Sequence, residues 1–241
     1  MSDTREVPSG ETHTRRYQVL SPEEQIAADR FMFPSDSQTF VAAHCLLRQV
    51  LSHHLNRSPE TLRFGRGSHG RPYLLGNMAT NFNLSHTKGL VACAVYDRAI
   101  GVDVEQLRDN IDIRALSRRV LSKNEQDTLS FDKPPSQTRF FDYWTVKEAY
   151  SKARGLGITM PFRYLDFAIS DQGVFEPDLS HVDDKADNWC FEVYQLQEGF
   201  RVALAAKKIR DVSIRLHFVD PFTLTSKNVP TKIVAAQKMN I

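Results

Sequence analysis

The period of the apolar positions changes several times along the chain, and each change marks an element. Arg16–Leu20 reads as a short strand. Ser21-Pro22-Glu23-Glu24 then starts a helix, with Ser21 as N-cap and a proline in the first turn. Asp36 is placed to cap a longer helix, in which Phe40, Leu47, Leu51 and Leu55 recur at helical spacing and His44 and Arg48 stand one turn apart. Between 61 and 105 the pattern becomes short alternating or continuous apolar runs separated by Gly, Pro and Asn, which predicts strands. Asn81–Ser85 alternates, Leu90–Tyr96 is continuous, and Ile100–Glu105 alternates again. Helical patterning returns over about 112–129 and more strongly over 136–154. Four strand-like runs follow: Tyr164–Ile169, Trp189–Leu196, Phe200–Ala206 and Val212–Phe218. Helix followed by strands thus occurs twice, without a sequence repeat of fixed period. The pattern predicts an α+β chain with a polar lead over 1–14, one α+β half over 15–99, a second over 100–220 and a tail over 221–241.

Composition narrows the classes. The chain has 241 residues, 41 % hydrophobic and 25 % charged, as an ordinary soluble globular protein does. Lys+Arg at 31 against Asp+Glu at 29 leaves +2, which argues against a nucleic-acid partner recognised by bulk charge. No apolar run approaches the roughly 20 residues that span a bilayer, and the first residues lack the apolar core of a secretory signal. Cys45, Cys93 and Cys190 are odd in number and widely spaced, which fits buried thiols in a reducing cytosol better than disulfides or a zinc site.

Four short segments carry candidate chemistry. Gly65-Arg66-Gly67-Ser68-His69-Gly70 satisfies GxGxxG, but a dinucleotide loop must open a helix, and Arg71-Pro72-Tyr73-Leu74 reads as a strand. A Gly-rich turn is the expectation there. In Gly101-Val102-Asp103-Val104-Glu105, strand periodicity puts Asp103 and Glu105 on one face and the valines on the other. Paired carboxylates resist joint ionisation unless a cation sits between them, and oxygen donors favour Mg²⁺ or Mn²⁺ over zinc. A solvated edge would show the same pair. In Phe140–Lys152 the aromatic block buries one side of a helix while Glu148 and Lys152 share a face four residues apart, which also suits a plain surface ion pair. Asn83-Leu84-Ser85-His86 sets serine beside histidine, but neighbours on a strand face opposite ways and no G-x-S-x-G elbow is present. Phosphate binding suits that pair better than a hydrolase triad.

The order and spacing of Gly70-Arg71-Pro72, Phe82–Gly89, Ile100–Glu105, Arg118–Glu125 and Phe140–Ile158 resemble the Sfp-type 4′-phosphopantetheinyl transferases over roughly residues 15–218. The resemblance implies two similar α+β halves about a pseudo-twofold axis, with coenzyme A in the cleft between them. It implies Mg²⁺-dependent transfer of the phosphopantetheine arm of coenzyme A to a serine of an apo acyl, aryl or peptidyl carrier protein, releasing 3′,5′-ADP. Asp103, Glu105 and Glu148 would then be metal ligands, with Mn²⁺ as the alternative ion. Glu148 or a metal-bound water would take the serine proton, and Lys152 would meet the departing phosphate. Arg71, Pro72, Ser85, His86 and Lys147 would bind the nucleotide end. A cytoplasmic monomer without membrane or nucleic-acid partners completes the expectation.

Relatives carry lysines or arginines where this chain has Glu24 and Ala27, and an arginine near the place of His44, with Arg48 one turn on. His44 and Arg48 are therefore the expected phosphate ligands of the first half, His44 binding more strongly when protonated. Ile111, Ile113, Leu116 and Val120, interleaved with Arg114, Arg118 and Arg119, fit either an acidic carrier helix or an ordinary amphipathic helix.

Overall fold

A computed structural model describes residues 2–3, 14, 17–67, 70–129, 136–170, 173–196, 199–208, 214–220, 225 and 231–237. Helix and sheet are both abundant, and the chain divides into two compact units: Met1–Asp97 with Ile214–Val229, and Arg98–Ser213 with Pro230–Ile241.

In the first unit, β1 (Ser2–Asp3) pairs with β5 (Leu90–Tyr96), which forms a hairpin with β4 (Asn81–Thr87). Helix α1 (Pro22–Asp29) has the capping box its sequence promises: Ser21 Oγ accepts from Glu24 N–H and the Glu24 carboxylate accepts from Ser21 N–H. Helix α2 (Pro34–Leu55) begins at Phe33 without a side-chain cap, so Asp36 lies in its first turn instead of capping it. It buries Val41, Ala42, Ala43, Leu46, Leu47 and Leu51. Asn56 ends it in the left-handed conformation. The glycine-rich stretch begins inside β2 (Phe64–Arg66), which pairs with β3 (Pro72–Leu74), so a strand stands where a dinucleotide site needs a helix. Tyr17 and Gln18 are helical and Leu20 N–H bonds Tyr17 C=O, making a turn, not the expected strand; the Gln25 side chain fixes it by donating to that same carbonyl. Residues 214–218, expected as a strand, have no regular structure, and Val219 packs against Ala43, Leu46 and Val91 of the first unit. Residues 212 and 213 lie outside the described residues.

The second unit is a six-stranded sheet backed by one long helix. Its strands are β6 (Ile100–Gln106), β7 (Asp166–Ile169), β8 (Val174–Asp178), β9 (Trp189–Leu196), β10 (Phe200–Lys207) and β11 (Thr231–Gln237), in the order β6-β10-β9-β11-β8-β7. Strand β11 replaces part of the expected tail: its β-branched Thr231, Ile233 and Val234 suit a strand, and it pairs antiparallel with β9 and parallel with β8. Two short helices, α3 (Ile113–Val120) and α4 (Lys123–Asp127), precede the long α5 (Ser136–Arg154). The core joins Phe140, Tyr143, Val146, Ala149 and Tyr150 of α5 to Phe167, Trp189, Phe191 and Val193 of the sheet. Edge-to-face contacts of Tyr150 with Trp189 and of Phe167 with Phe191 add about 0.5–1.5 kcal/mol each beyond burial.

The two units repeat one lock. In each, the capping-box glutamate before the long helix pairs with a buried cation on that helix, Glu24 with Arg48 and Glu125 with Lys147. The cation also donates to two carbonyls, three residues apart, that bracket a 3₁₀ turn beyond the helix. Arg48 reaches Pro59 and Leu62, and Lys147 reaches Phe162 and Leu165. The repeat is carried by roles with different residue types, which is why no fixed sequence period shows it.

Candidate active site

Gly101 places the second unit's charged residues. On β6, positions 101, 103 and 105 share a face. Their partners on β10 are Ala205, Ala203 and Arg201. A Cβ on Gly101 would lie 2.0 Å from the Ala149 carbonyl oxygen and 2.5 Å from the Ala153 amide nitrogen, so strand and helix touch backbone to backbone. Alanines at 149, 153, 203 and 205 keep the gap that narrow. At this distance the charged side chains flanking the contact meet. Lys152 Nζ lies 2.6 Å from Asp103 Oδ1. Trp144 Nε1 donates to Glu105 Oε1 at 2.9 Å, and Arg108 Nη2 approaches Oε2 at 3.3 Å.

The cluster is crowded with negative charge. Burial, then the charge of Asp103, lifts Glu105 above its ordinary value. Burial and Asp103 together push Glu148 up to about 7 against the pull of Lys152, with Glu105 adding to the rise. Asp103, Glu105, Glu148 and Lys152 thus form one electrostatic group. As the side chains stand, no three His, Cys, Asp or Glu among the described residues are arranged to hold a metal ion. Asp103 is turned to Lys152, and Glu105 to Trp144 and Arg108.

Lys147, expected at the nucleotide end, is elsewhere. Its side chain is fully enclosed, and its three N–H donors are shared among Glu125, Val120 C=O, Phe162 C=O and Leu165 C=O. No donor is left for a phosphate. Arg48, expected as a phosphate ligand, is likewise turned inward: 1 % exposed, it holds Glu24 through Nε at 2.7 Å, donates to two carbonyls and stacks over Phe64. His44 Nδ1 faces Glu24 Oε1 at 2.9 Å and its ring stacks on Phe40. Hydrogen bonds from His44, Arg48 and Ser21 outweigh burial and pull the Glu24 carboxyl down to about 2. The expected phosphate cations of α2 are thus engaged by an internal carboxylate.

Arg71 and Pro72 sit at the start of β3, where burial lowers the Arg71 pKa. On β4, Ser85 is buried and His86 exposed, so the adjacent pair does face opposite ways. In α3 the apolar positions Ile113, Leu116 and Val120, like Ile111 before it, pack against the unit's own core, while Arg114, Arg118 and Arg119 are exposed. The apolar half of the expected carrier contact is therefore spent on folding. Trp144 escaped notice because it lay in a block assigned to burial. The signal was its position four residues before Glu148 and eight before Lys152, on one helix stripe.

Residues 99–205 match the model of the 4′-phosphopantetheinyl transferase superfamily, and residues 7–97 match that of the N-terminal region of 4′-phosphopantetheinyl transferases. The chain belongs to the 4′-phosphopantetheinyl transferase superfamily. Among its relatives, the 4′-phosphopantetheinyl transferase HetI of Nostoc sp. is 41 % identical over 58 % of this chain, and the match covers 61 % of HetI, under two thirds of that protein's length. The 4′-phosphopantetheinyl transferase Sfp of Bacillus subtilis is 26 % identical over 82 % of this chain and 87 % of its own. A solved holo-(acyl-carrier-protein) synthase of Bacillus anthracis, in complex with CoA, matches 45 % of this chain and 94 % of its own at 21 % identity and TM-score 0.35.

Proposed function

We propose that this superfamily member moves the 4′-phosphopantetheine arm of coenzyme A onto a serine of an apo acyl, aryl or peptidyl carrier protein. The observation that carries the reading is the backbone contact at Gly101, which gathers Asp103, Glu105, Glu148 and Lys152 into one group within the stretch 99–205 that matches the superfamily model. Three carboxylates and no nitrogen or sulfur donor suit a hard cation. Asp103, Glu105 and Glu148 would hold Mg²⁺, or Mn²⁺, after the Lys152 and Arg108 contacts give way. Such an ion, when bound, neutralises pyrophosphate and polarises the attacked phosphorus.

The chain's own groups do the rest. Glu148 accepts the proton of the serine hydroxyl. The serine oxygen forms its bond to the phosphorus of the pantetheine phosphate as the bond from that phosphorus to the 3′,5′-ADP oxygen breaks. Lys152 meets the charge that appears on the departing phosphate. Arg71, Pro72, Ser85 and His86 are the groups proposed for the nucleotide end. Positioning and charge complementarity supply most of the rate in such displacements.

Intact-mass spectrometry tests the reading with a panel of apo carriers, coenzyme A and Mg²⁺. A gain of one phosphopantetheine is expected, lost in Asp103→Ala, Glu105→Ala and Glu148→Ala. No gain on any carrier would refute the transfer, and coenzyme A cleavage without a carrier would make the chain a hydrolase.

A further inference from the structure

The geometry points to Trp144 as the positioning residue that aims the Glu105 carboxylate. This inference rests on the proposed role of Glu105 as a cation ligand and deepens it. The indole is itself immobilised, stacked on Phe140 with centroids 6.3 Å apart and edge-on to Phe162 at 5.9 Å. Its N–H donates to Glu105 Oε1 at 2.9 Å. An indole offers one donor, no acceptor and no charge, so it fixes the carboxylate's direction without competing for a cation. The other oxygen, Oε2, is approached at 3.3 Å by Arg108, whose side chain is 53 % exposed. A solvated pair of that kind is weak and exchangeable. One oxygen of Glu105 is therefore held by a rigid group and the other by one that a cation can displace. Trp144 also lies one turn before Glu148 on α5, so it ties the strand's carboxylate to the helix that carries another. Groups that orient a ligand in this way typically govern metal affinity by 10–100-fold.

The test titrates the full chain with Mn²⁺, free ion being counted by electron paramagnetic resonance, for the wild type, Glu105→Ala and Trp144→Phe. Phenylalanine keeps the ring contacts and removes only the donor. Trp144→Phe is expected to weaken Mn²⁺ binding by about 10–100-fold while its melting temperature stays near that of the wild type. Binding within twofold of the wild type, with Glu105→Ala impaired, overturns the inference and leaves the proposed function standing. Wild-type affinity in Glu105→Ala, or no Mn²⁺ binding by the wild type, overturns the metal assignment and the inference with it. Should Trp144→Phe not fold, the indole emission of Trp189→Phe decides, because that variant keeps Trp144 as the chain's one tryptophan. Quenching along the isotherm of bound Mn²⁺ supports the contact, and unchanged emission overturns it.

Discussion

Gly101→Ala tests whether the backbone contact of β6 and α5 builds the site. The added Cβ would lie 2.0 Å from the Ala149 carbonyl oxygen and 2.5 Å from the Ala153 amide nitrogen, whereas ordinary contact starts at 3.4 Å. Strand and helix must part by about 1.4 Å, the difference between 3.4 and 2.0 Å, and neither obstacle is a side chain that can swing aside. Overpacking of this kind costs about 1–3 kcal/mol, occasionally more. In a chain of this size that lowers the melting temperature by roughly 2–12 °C. Function should suffer more than stability. The Lys152–Asp103 contact at 2.6 Å and the Trp144–Glu105 bond at 2.9 Å span the same gap and cannot survive such a separation unchanged. Misplacing catalytic groups by about 1 Å costs on the order of 100-fold. Carrier-loading kcat/KM and thermal unfolding measured on one preparation separate the two effects. A folded Gly101→Ala protein should lose about 100-fold in kcat/KM. Adding Ala149→Gly should not rescue it, because the clash is with a carbonyl oxygen, and a helical glycine costs about 1 kcal/mol more. Activity within threefold of the wild type would refute the reasoning.

Two further changes test the repeated lock. Glu24, held at about 2 instead of 4.5 and only 12 % exposed, contributes roughly 3 kcal/mol at neutral pH, a contribution present above pH 4.5 and lost as pH falls towards 2. Denaturant melts of wild type and Glu24→Gln should therefore differ by about that amount at pH 7 and converge by about pH 2, and a gap that does not shrink would exclude the ion-pair account. Lys147→Met leaves Glu125 buried without its counter-ion, and losing one partner of such a pair costs about 3–5 kcal/mol, seen as a melting temperature lower by roughly 6–20 °C. An unchanged melting temperature with a raised KM for coenzyme A would return Lys147 to the nucleotide.

The sequence was most legible where local periodicity decides structure. Trp189–Leu196 forms a strand with those bounds, and α5 spans 136–154 as its pattern indicates. The Asp103/Glu105 face followed from a period of two, and Glu148 and Lys152 from a period of four. Charged residues enclosed by tertiary packing were misread. Arg48 and Lys147 have the same character in sequence as a phosphate-binding cation, and only the neighbouring carbonyls and glutamates decide between the two. The start of a helix at Ser21–Glu24 was legible, whereas Ser122–Glu125 lies inside the stretch 112–129 that reads as one helix, and a capping glutamate gives no sign that its free valence will hold a buried cation. Residues 231–237 failed for another reason. A strand of mixed polarity that joins the sheet from outside the patterned region gains its stability from β9 and β8, not from its own sequence.

The site's two halves also constrain each other in length. Along β6, Gly101 to Glu105 covers about 13 Å at 3.3 Å per residue. Along α5, Ala153 back to Trp144 covers about 13 Å at 1.5 Å per residue. Glycine meets Ala149 and Ala153 at one end, tryptophan meets Glu105 at the other, and Lys152 reaches Asp103 between them. Two stretches some forty residues apart in sequence therefore match because strand and helix rise at different rates over one shared distance. The spacing of two in Gly-x-Asp-x-Glu keeps one strand face on the helix, and the spacing of four from Trp144 through Glu148 to Lys152 keeps one helix stripe on the strand. A residue inserted in either stretch would break the match at one end while leaving the other in place. The motif spacing is thus a requirement of packing before it is one of chemistry.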